Sequence, residues 1–233
     1  MQAVILAAGR GTRMGDLVKD MPKPMLTVNG KTLLEHKFDV LPENVDEIIL
    51  VVGYLQETIK NRFGDSYNGK KISYVTQENI VGGTMDALSK ARPFLKDRFF
   101  VMNGDNIYDG KDMQNCLAQE WAVVVEKTDS LGYAANVRAA EDGTVLDIVE
   151  ASYHHGGPGL GNLNLFLFDL RLFDHPLMPK GPGASEFGMP QTAVAASQAF
   201  GISFKTVEST FWVQIKDPSD LEKAEKALAG RVQ

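Results

Sequence analysis

Short apolar runs alternate with segments of helical spacing over the first half of the chain. AVILAA (3–8) predicts a strand. KTLLEHKFDVL (31–41) predicts a helix, with Leu33, Leu34, Phe38 and Leu41 on one side. DEIILVVG (46–53) predicts a second strand, and its unbroken Ile/Leu/Val run predicts burial on both faces. YLQETIKNRFG (54–64) reads as a helix closed by Gly64. KISYVTQ (71–77) is a third strand, TMDALSKARPFL (84–95) a helix and RFFVMNGD (98–105) a fourth strand. Strands that alternate with helices in this way predict a mostly parallel sheet covered by helices.

The second half has a different rhythm. EWAVVVEKT (120–128), GYAANVRA (132–139), TVLDIVEA (144–151) and NLNLFLFDL (162–170) are all strand-like, with a turn signal at Glu141–Gly143. A helical pattern returns in SEFGMPQTAVAASQAF (185–200). Strands follow at GISFKTV (201–207) and TFWVQIK (210–216), then a helix in SDLEKAEKALAG (219–230) that Asp217 is placed to cap. HHGGPGLG (154–161) reads as the clearest mobile loop, and MPKGPGASE (178–186) as another. One domain over 1–233 is expected, with no repeat and no further C-terminal domain.

Composition narrows the function. The chain has 233 residues and a net charge of −6, which disfavours a non-specific nucleic-acid binder. Any anionic ligand must be met by local positive charge. A single cysteine, Cys116, forms no internal disulfide and reads as a buried small residue on a helix. No apolar stretch approaches the roughly 20 residues a membrane span needs, and no charged leader precedes the first strand, so a cytoplasmic setting is expected.

The candidate chemistry begins where the first strand stops, at LAAGRGTRM (6–14). Gly9 and Gly11 allow a tight turn and close approach of an oxygen-rich ligand to the amides. Ala7 and Ala8 keep that approach clear, while Arg10 and Arg13 supply charge. Lys23 follows in MPKPM (21–25), restricted by prolines on both sides. A glycine turn with an Arg and a clamped Lys suits a polyphosphate; the plain alternative is a strand-to-helix turn with solvated arginines. The P-loop pattern is absent, and Met14 stands where a dinucleotide fingerprint needs a small residue.

LAAGRGTRM … MPKPML resembles the signature of the sugar-phosphate nucleotidyltransferases, the NDP-sugar pyrophosphorylase-like enzymes. VVGYLQETI, GTMDAL, VMNGDN, VLDIVEA and FWVQIKDPSDL resemble later motifs of that family. The resemblance implies a Rossmann-like three-layer α/β/α fold with a mostly parallel mixed sheet, of the nucleotide-diphospho-sugar transferase type. Residues 1–120 would then form mainly a nucleotide-binding half and 121–233 mainly an acceptor-binding half. It implies transfer of a nucleotidyl group to a sugar 1-phosphate with release of pyrophosphate. Mg²⁺ is the implied cofactor, a homo-oligomer is an implied assembly, and neither nucleic acid nor membrane is a partner.

Carried over residue by residue, the resemblance implies nucleotide contacts at Leu6, Ala7, Ala8, Gly9, Arg10, Gly11, Thr12, Arg13, Lys23, Gln77, Gly83, Thr84 and Gly104. It implies catalytic roles for Arg13, Lys23 and Asp105. Asp105 would bind the metal; the alternative is a carboxylate capping the next turn. A Gln77 amide offering donor and acceptor together suits thymine or uracil, so dTTP or UTP is favoured; the alternative is an exposed strand end. Acceptor contacts would come from Tyr133, Ala134, Glu150 and Asn162. Three departures bear on the acceptor and metal. Ala151 stands in place of a lysine, Asn164 in place of a glycine, and Gln214 in place of a second metal-binding aspartate. Asp217 is the substitute metal ligand, with helix capping as its alternative role.

Adjacent His154 and His155 read as solvated loop residues rather than metal ligands. Trp121 and Trp212 read as core anchors. Two other readings stay open: a cytidylyl- or guanylyltransferase using a phosphocholine-like acceptor or mannose 1-phosphate, and a nucleotide-binding module without turnover.

Overall fold

A computed structural model describes residues 1–78, 83–132 and 134–231. In chain order the elements begin with β1 (Gln2–Leu6), β2 (Thr27–Val28), β3 (Lys31–Thr32), α1 (Leu33–Asp39), β4 (Glu47–Val52) and α2 (Gln56–Phe63). Then come β5 (Ser66–Tyr67), β6 (Lys70–Thr76), α3 (Gly83–Ala91), β7 (Phe99–Asn103), β8 (Asn106–Tyr108) and α4 (Gly110–Leu117). The second half holds β9 (Trp121–Thr128), β10 (Asn136–Ala139), β11 (Val145–Val149), β12 (Gly159–Phe168), α5 (Met189–Phe200), β13 (Phe204–Glu208), β14 (Trp212–Gln214) and α6 (Ser219–Ala229).

The main sheet runs β11-β10-β12-β7-β1-β4-β6-β5, with β9 pairing β12 and β13. Its first-half core is parallel, β7-β1-β4-β6. Beyond β7 the strands β12, β10, β11 and β9 pair antiparallel, and only β13 returns parallel to β9. The expected mixed sheet is therefore present, with its parallel character concentrated in the first half. That division follows from the sequence: helices separate the early strands, whereas turns join the later ones.

Alternate side chains of the central strands enter two cores. Val4, Ile49 and Val51 pack with α3 and α5 on one face. Ala3, Ile5, Ile48 and Leu50 pack with α1, α2 and α4 on the other. This is a three-layer sandwich in which β1 and β4 are buried on both faces, as the unbroken Ile/Leu/Val run of β4 predicts. A smaller cluster tucks α6 against β2 and the turns after β1. Trp121 and Cys116 are fully buried, Cys116 on α4; Trp212 is only partly buried, against the second core.

Several boundaries differ from the sequence reading. Pro93 has no amide hydrogen to continue α3, so Arg92–Phe94 forms a separate 3-10 turn. Gly159–Gly161 belong to the longest strand, β12, rather than to a mobile loop. A Cβ on Gly159 would meet Asn136 Oδ1 at 2.8 Å, so glycine there serves close packing. Similarly, α5 starts at Met189, not Ser185, and β10 starts only at Asn136. The β2–β3 hairpin was not expected, although its Asn29–Gly30 turn, with both residues at positive φ, is a strong hairpin signal.

Candidate functional site

The site lies beyond the carboxyl ends of β1 and β7, where open α/β sheets leave a crevice. The loop after β1 is tied down on its strand side. Ala7 N donates to Val51 O at 2.8 Å, and Ala8 O accepts from Tyr54 N at 3.1 Å. Gly9 and Arg10 are exposed above it, and the Arg10 guanidinium lies over the Tyr54 ring. Gly11 has φ +64, and a Cβ there would sit 2.8 Å from Lys23 Cβ. Glycine at this point lets Lys23 lie against the loop. Thr12 opens a pair of short turns, and Arg13 projects from them, exposed, into the neighbouring cleft.

Lys23 begins a short turn after Pro22 and is buried. Its Nζ meets Asp105 Oδ2 at 2.8 Å, in a pair with side-chain exposures of 7% and 21%. Asp105 follows Gly104, whose amide donates to Leu6 O at 2.9 Å. A Cβ on Gly104 would meet that same carbonyl at 3.0 Å, so the turn bearing Asp105 presses directly on the end of β1.

Lys37 was not expected here. The sequence places it in α1, and the structure buries its side chain completely beneath the Asp105 turn. Its ammonium donates to Leu33 O at 3.2 Å, Gly104 O at 3.1 Å and Asn106 O. Burial pushes the amine down to about 7; Asp105 opposes that shift and Lys23 adds to it. The only signal in the sequence was a lysine on a helix face otherwise filled by Leu34 and Phe38.

A cleft of about 280 Å³ opens over these groups, lined by Leu6, Ala8, Gly9, Gly11, Gln77, Gly83, Thr84 and Asp105, among others. Gln77 is buried rather than an exposed strand end. Its Nε2 donates to Asp86 Oδ2 at 2.8 Å and to Gly83 O at 3.4 Å, which leaves recognition of a base to its oxygen. A second cleft, of about 350 Å³, shares Gly83, Thr84 and Asn103 with the first. It adds Arg13, Glu150, Asn164 and Lys180. The two form one continuous surface, and Asn103 and Lys180 are lining residues the sequence reading missed.

The expected acceptor residues fare unequally. Glu150 lines the second cleft, and its Oε1 lies 3.4 Å from the donating Gln191 Nε2. Asn162 is buried; its Oδ1 accepts from Asn164 N at 2.9 Å and shapes the bulge that carries Asn164. Asn164 has φ +58, so asparagine occupies a left-handed position in place of glycine. Ala134 O accepts from His154 Nε2 at 2.8 Å. Gly156 N donates to the other His154 ring nitrogen, so one nitrogen is engaged by Ala134 and the other inside the loop. Tyr133 lies outside the described residues.

Asp217 takes the helix-start role. Its Oδ1 accepts from Ser219 N at 2.9 Å and from Ser219 Oγ at 2.7 Å. The N-cap position itself falls one residue later, at Pro218. Pairing of β14 with β8 sets Gln214 opposite Asn106, beside the Asp105 turn. Among the described residues no group of three or more His, Cys, Asp or Glu side chains could enclose a metal. A lone carboxylate suits an ion that arrives with most of its ligands supplied by phosphates and water, as Mg²⁺ does. Among the described residues no helix is long and apolar enough to cross a membrane.

Residues 2–145 match the family model described as Nucleotidyl transferase. The chain is 30% identical over 235 residues to the bifunctional protein GlmU of Methanococcus vannielii, covering 96% of this chain and 54% of that protein. It is 41% identical over 110 residues to the D-glycero-alpha-D-manno-heptose 1-phosphate guanylyltransferase of Campylobacter jejuni, covering 47% of this chain and 49% of that one. It thus spans about half the length of these curated relatives. In fold it is similar to the inositol-1-phosphate CTP transferase from T. maritima, with TM-score 0.77 and 19% identity over 98% of this chain and 94% of that one.

Proposed function

Since the chain belongs to the nucleotidyl transferase family, we propose that it joins a nucleoside triphosphate to a sugar 1-phosphate and releases pyrophosphate. An acceptor phosphate oxygen attacks the α-phosphorus, the bond from that phosphorus to the β-phosphate oxygen breaks, and the electron pair leaves with pyrophosphate. The attacking oxygen is already ionised, so no general base is required. What the chain supplies is charge and alignment between two anions.

The observation that carries this reading is the Lys23–Asp105 pair beneath the glycine turn. Asp105 would hold a Mg²⁺ ion, which shields the triphosphate charge when bound. Lys23 would then exchange its contact with Asp105 for the α-phosphate. Arg13, exposed in the second cleft, would stabilise the leaving pyrophosphate, while Glu150 would hold acceptor hydroxyls. The Gln77 oxygen can accept from the N3–H of thymine or uracil, which supports dTTP or UTP as the first donors to test. CTP or GTP with phosphocholine-like or mannose 1-phosphate acceptors forms the alternative within the class. A module that binds nucleotide without turnover is the second reading, motivated by Gln214 beside the Asp105 turn.

The test is pyrophosphate release with dTTP, UTP, CTP and GTP, each paired with glucose 1-phosphate, mannose 1-phosphate and phosphocholine in Mg²⁺. Release with at least one pair is expected. Lys23→Ala and Asp105→Ala are each expected to lower it by about two orders of magnitude or more while remaining folded. Tight nucleotide binding with no release across the panel would establish the module instead, and full rates in either variant would remove the assigned roles.

A further inference from the structure

The Asp105 turn and the Asn164 bulge belong to different halves of the chain, yet a run of buried polar groups connects them. Lys37 grips the turn through the carbonyls on both sides of Asp105, those of Gly104 and Asn106. Asn106, fully buried, then donates through Nδ2 to Tyr108 Oη at 2.8 Å and to Leu163 O at 2.9 Å. Leu163 O can only accept, so the amide nitrogen must face it. Tyr108 Oη lies 2.9 Å from Leu163 O and 3.1 Å from Asn164 O, within donating distance of both.

The bulge needs these partners. Register between β12 and β9 shifts between Asn162 and Phe166, so the carbonyls of Leu163 and Asn164 turn to side chains for hydrogen bonds. Asn162 Oδ1 completes the arrangement by accepting from Asn164 N. Asn164 and Glu150 line the second cleft; Asp105 lines the first. Two parts of the site that are distant in sequence are thereby fastened to one buried set of groups.

We propose that Lys37, Asn106 and Tyr108 are positioning residues that hold the Asp105 turn and the Asn162–Asn164 bulge at a fixed separation, so that the ion-and-nucleotide side of the cleft stays aligned with the acceptor side. This rests on the proposed nucleotidyl transfer. The two ends of the connection then have different consequences. Loss of the Lys37 ammonium loosens Asp105, and therefore the ion and its nucleotide. Loss of the Tyr108 hydroxyl loosens the bulge, and therefore the acceptor alone.

The test uses the full chain with Tyr108→Phe and Lys37→Met. Binding of Mn²⁺ with each nucleotide is read by the electron paramagnetic resonance signal of free Mn²⁺, which requires no turnover. KM values for nucleotide and acceptor are read separately from pyrophosphate release. Tyr108→Phe is expected to raise the acceptor KM about fivefold while leaving the nucleotide KM and Mn²⁺ binding within about twofold. Lys37→Met is expected to weaken Mn²⁺–nucleotide binding about tenfold or more. An unchanged acceptor KM in Tyr108→Phe overturns the proposal, as does a rise in both KM values together. A folded Lys37→Met protein that binds Mn²⁺–nucleotide like the parent also overturns it; if that variant does not fold, Tyr108→Phe decides. Absence of turnover in the parent protein with every substrate pair refutes the proposed function, and the Mn²⁺ titration still tests the Lys37 end of the connection.

Discussion

Placing alanine at Gly11 and, separately, at Gly9 distinguishes a loop shaped to seat Lys23 from a loop that is merely small. At Gly11 the added methyl meets three atoms of the Lys23 side chain, the nearest at 2.8 Å, and the backbone holds φ +64. A left-handed conformation costs a residue with a Cβ about 1–2 kcal/mol. The contact is with Lys23 Cβ, next to a backbone flanked by Pro22 and Pro24, so relief requires moving the lysine itself. A total near 2–3 kcal/mol follows, since strain and overpacking combine. For a chain of this length that lowers the Tm by about 4–12 °C. At Gly9 no atom lies within 4 Å of the added methyl and φ is not positive. The free protein should lose less than about 0.5 kcal/mol there. Turnover tells the rest. A Lys23 displaced by about 1 Å costs about 100-fold in rate. Gly9→Ala, by contrast, should raise the nucleotide KM, because the methyl occupies the approach to the loop amides. Thermal unfolding followed by circular dichroism, together with pyrophosphate release, reads both effects. Equal losses of Tm in the two variants, or a Gly11→Ala protein with the parent rate, would show that the loop does not seat Lys23 in the way described.

Other outcomes follow from the same geometry. Asp217→Ala removes the acceptor for the Ser219 amide and hydroxyl; it should cost about 1 kcal/mol, or about 2–4 °C in Tm, and leave the Mg²⁺ requirement unchanged. A raised Mg²⁺ requirement would return Asp217 to the metal. Gln214→Asp introduces a carboxylate opposite Asn106, and the Mg²⁺ concentration giving half-maximal rate should fall. No change would mean that this position does not reach the ion. Glu47 is a separate case. Burial alone would raise its pKa, but donors on Lys71, Ser73 and Gln2 outweigh that and hold it at about 2, against an ordinary 4.5. A depressed carboxylate contributes stability above 4.5 that is lost as pH falls toward 2. Glu47→Gln should therefore flatten the acid limb of a Tm-against-pH curve over that window, and an unaltered slope would contradict the shift.

The sequence alone determined the elements whose chemistry is local. The unbroken apolar run at Ile48–Val52 predicted a strand buried on both faces, because a covered sheet satisfies such a run, and all five residues are buried. Gly64 closed α2, with φ +58 at the C-cap, because a residue without a Cβ accepts that turn. The glycine turn and the proline-flanked Lys23 were legible as a bare turn and a restrained cation because backbone freedom and fixed charge are properties of residue types, and the structure sets the two in contact. Pairing was not legible. Whether β12 runs antiparallel to β7, and where its register shifts at the bulge, depends on contacts between segments far apart in the chain.

Asp217 shows the limit on the metal side: a carboxylate near a helix start can cap or ligate, and the sequence does not reveal that its Oδ1 is engaged by Ser219. Lys37 shows it most sharply. On the sequence it is one more charged residue on an amphipathic helix. It becomes a buried clamp because α1 packs its face beneath β7 and β8, where three carbonyls converge on a site closed to water. Burying an ammonium is favourable only where such acceptors meet it, and that convergence exists only once α1 has packed against the Asp105 turn, 67–69 residues further along the chain.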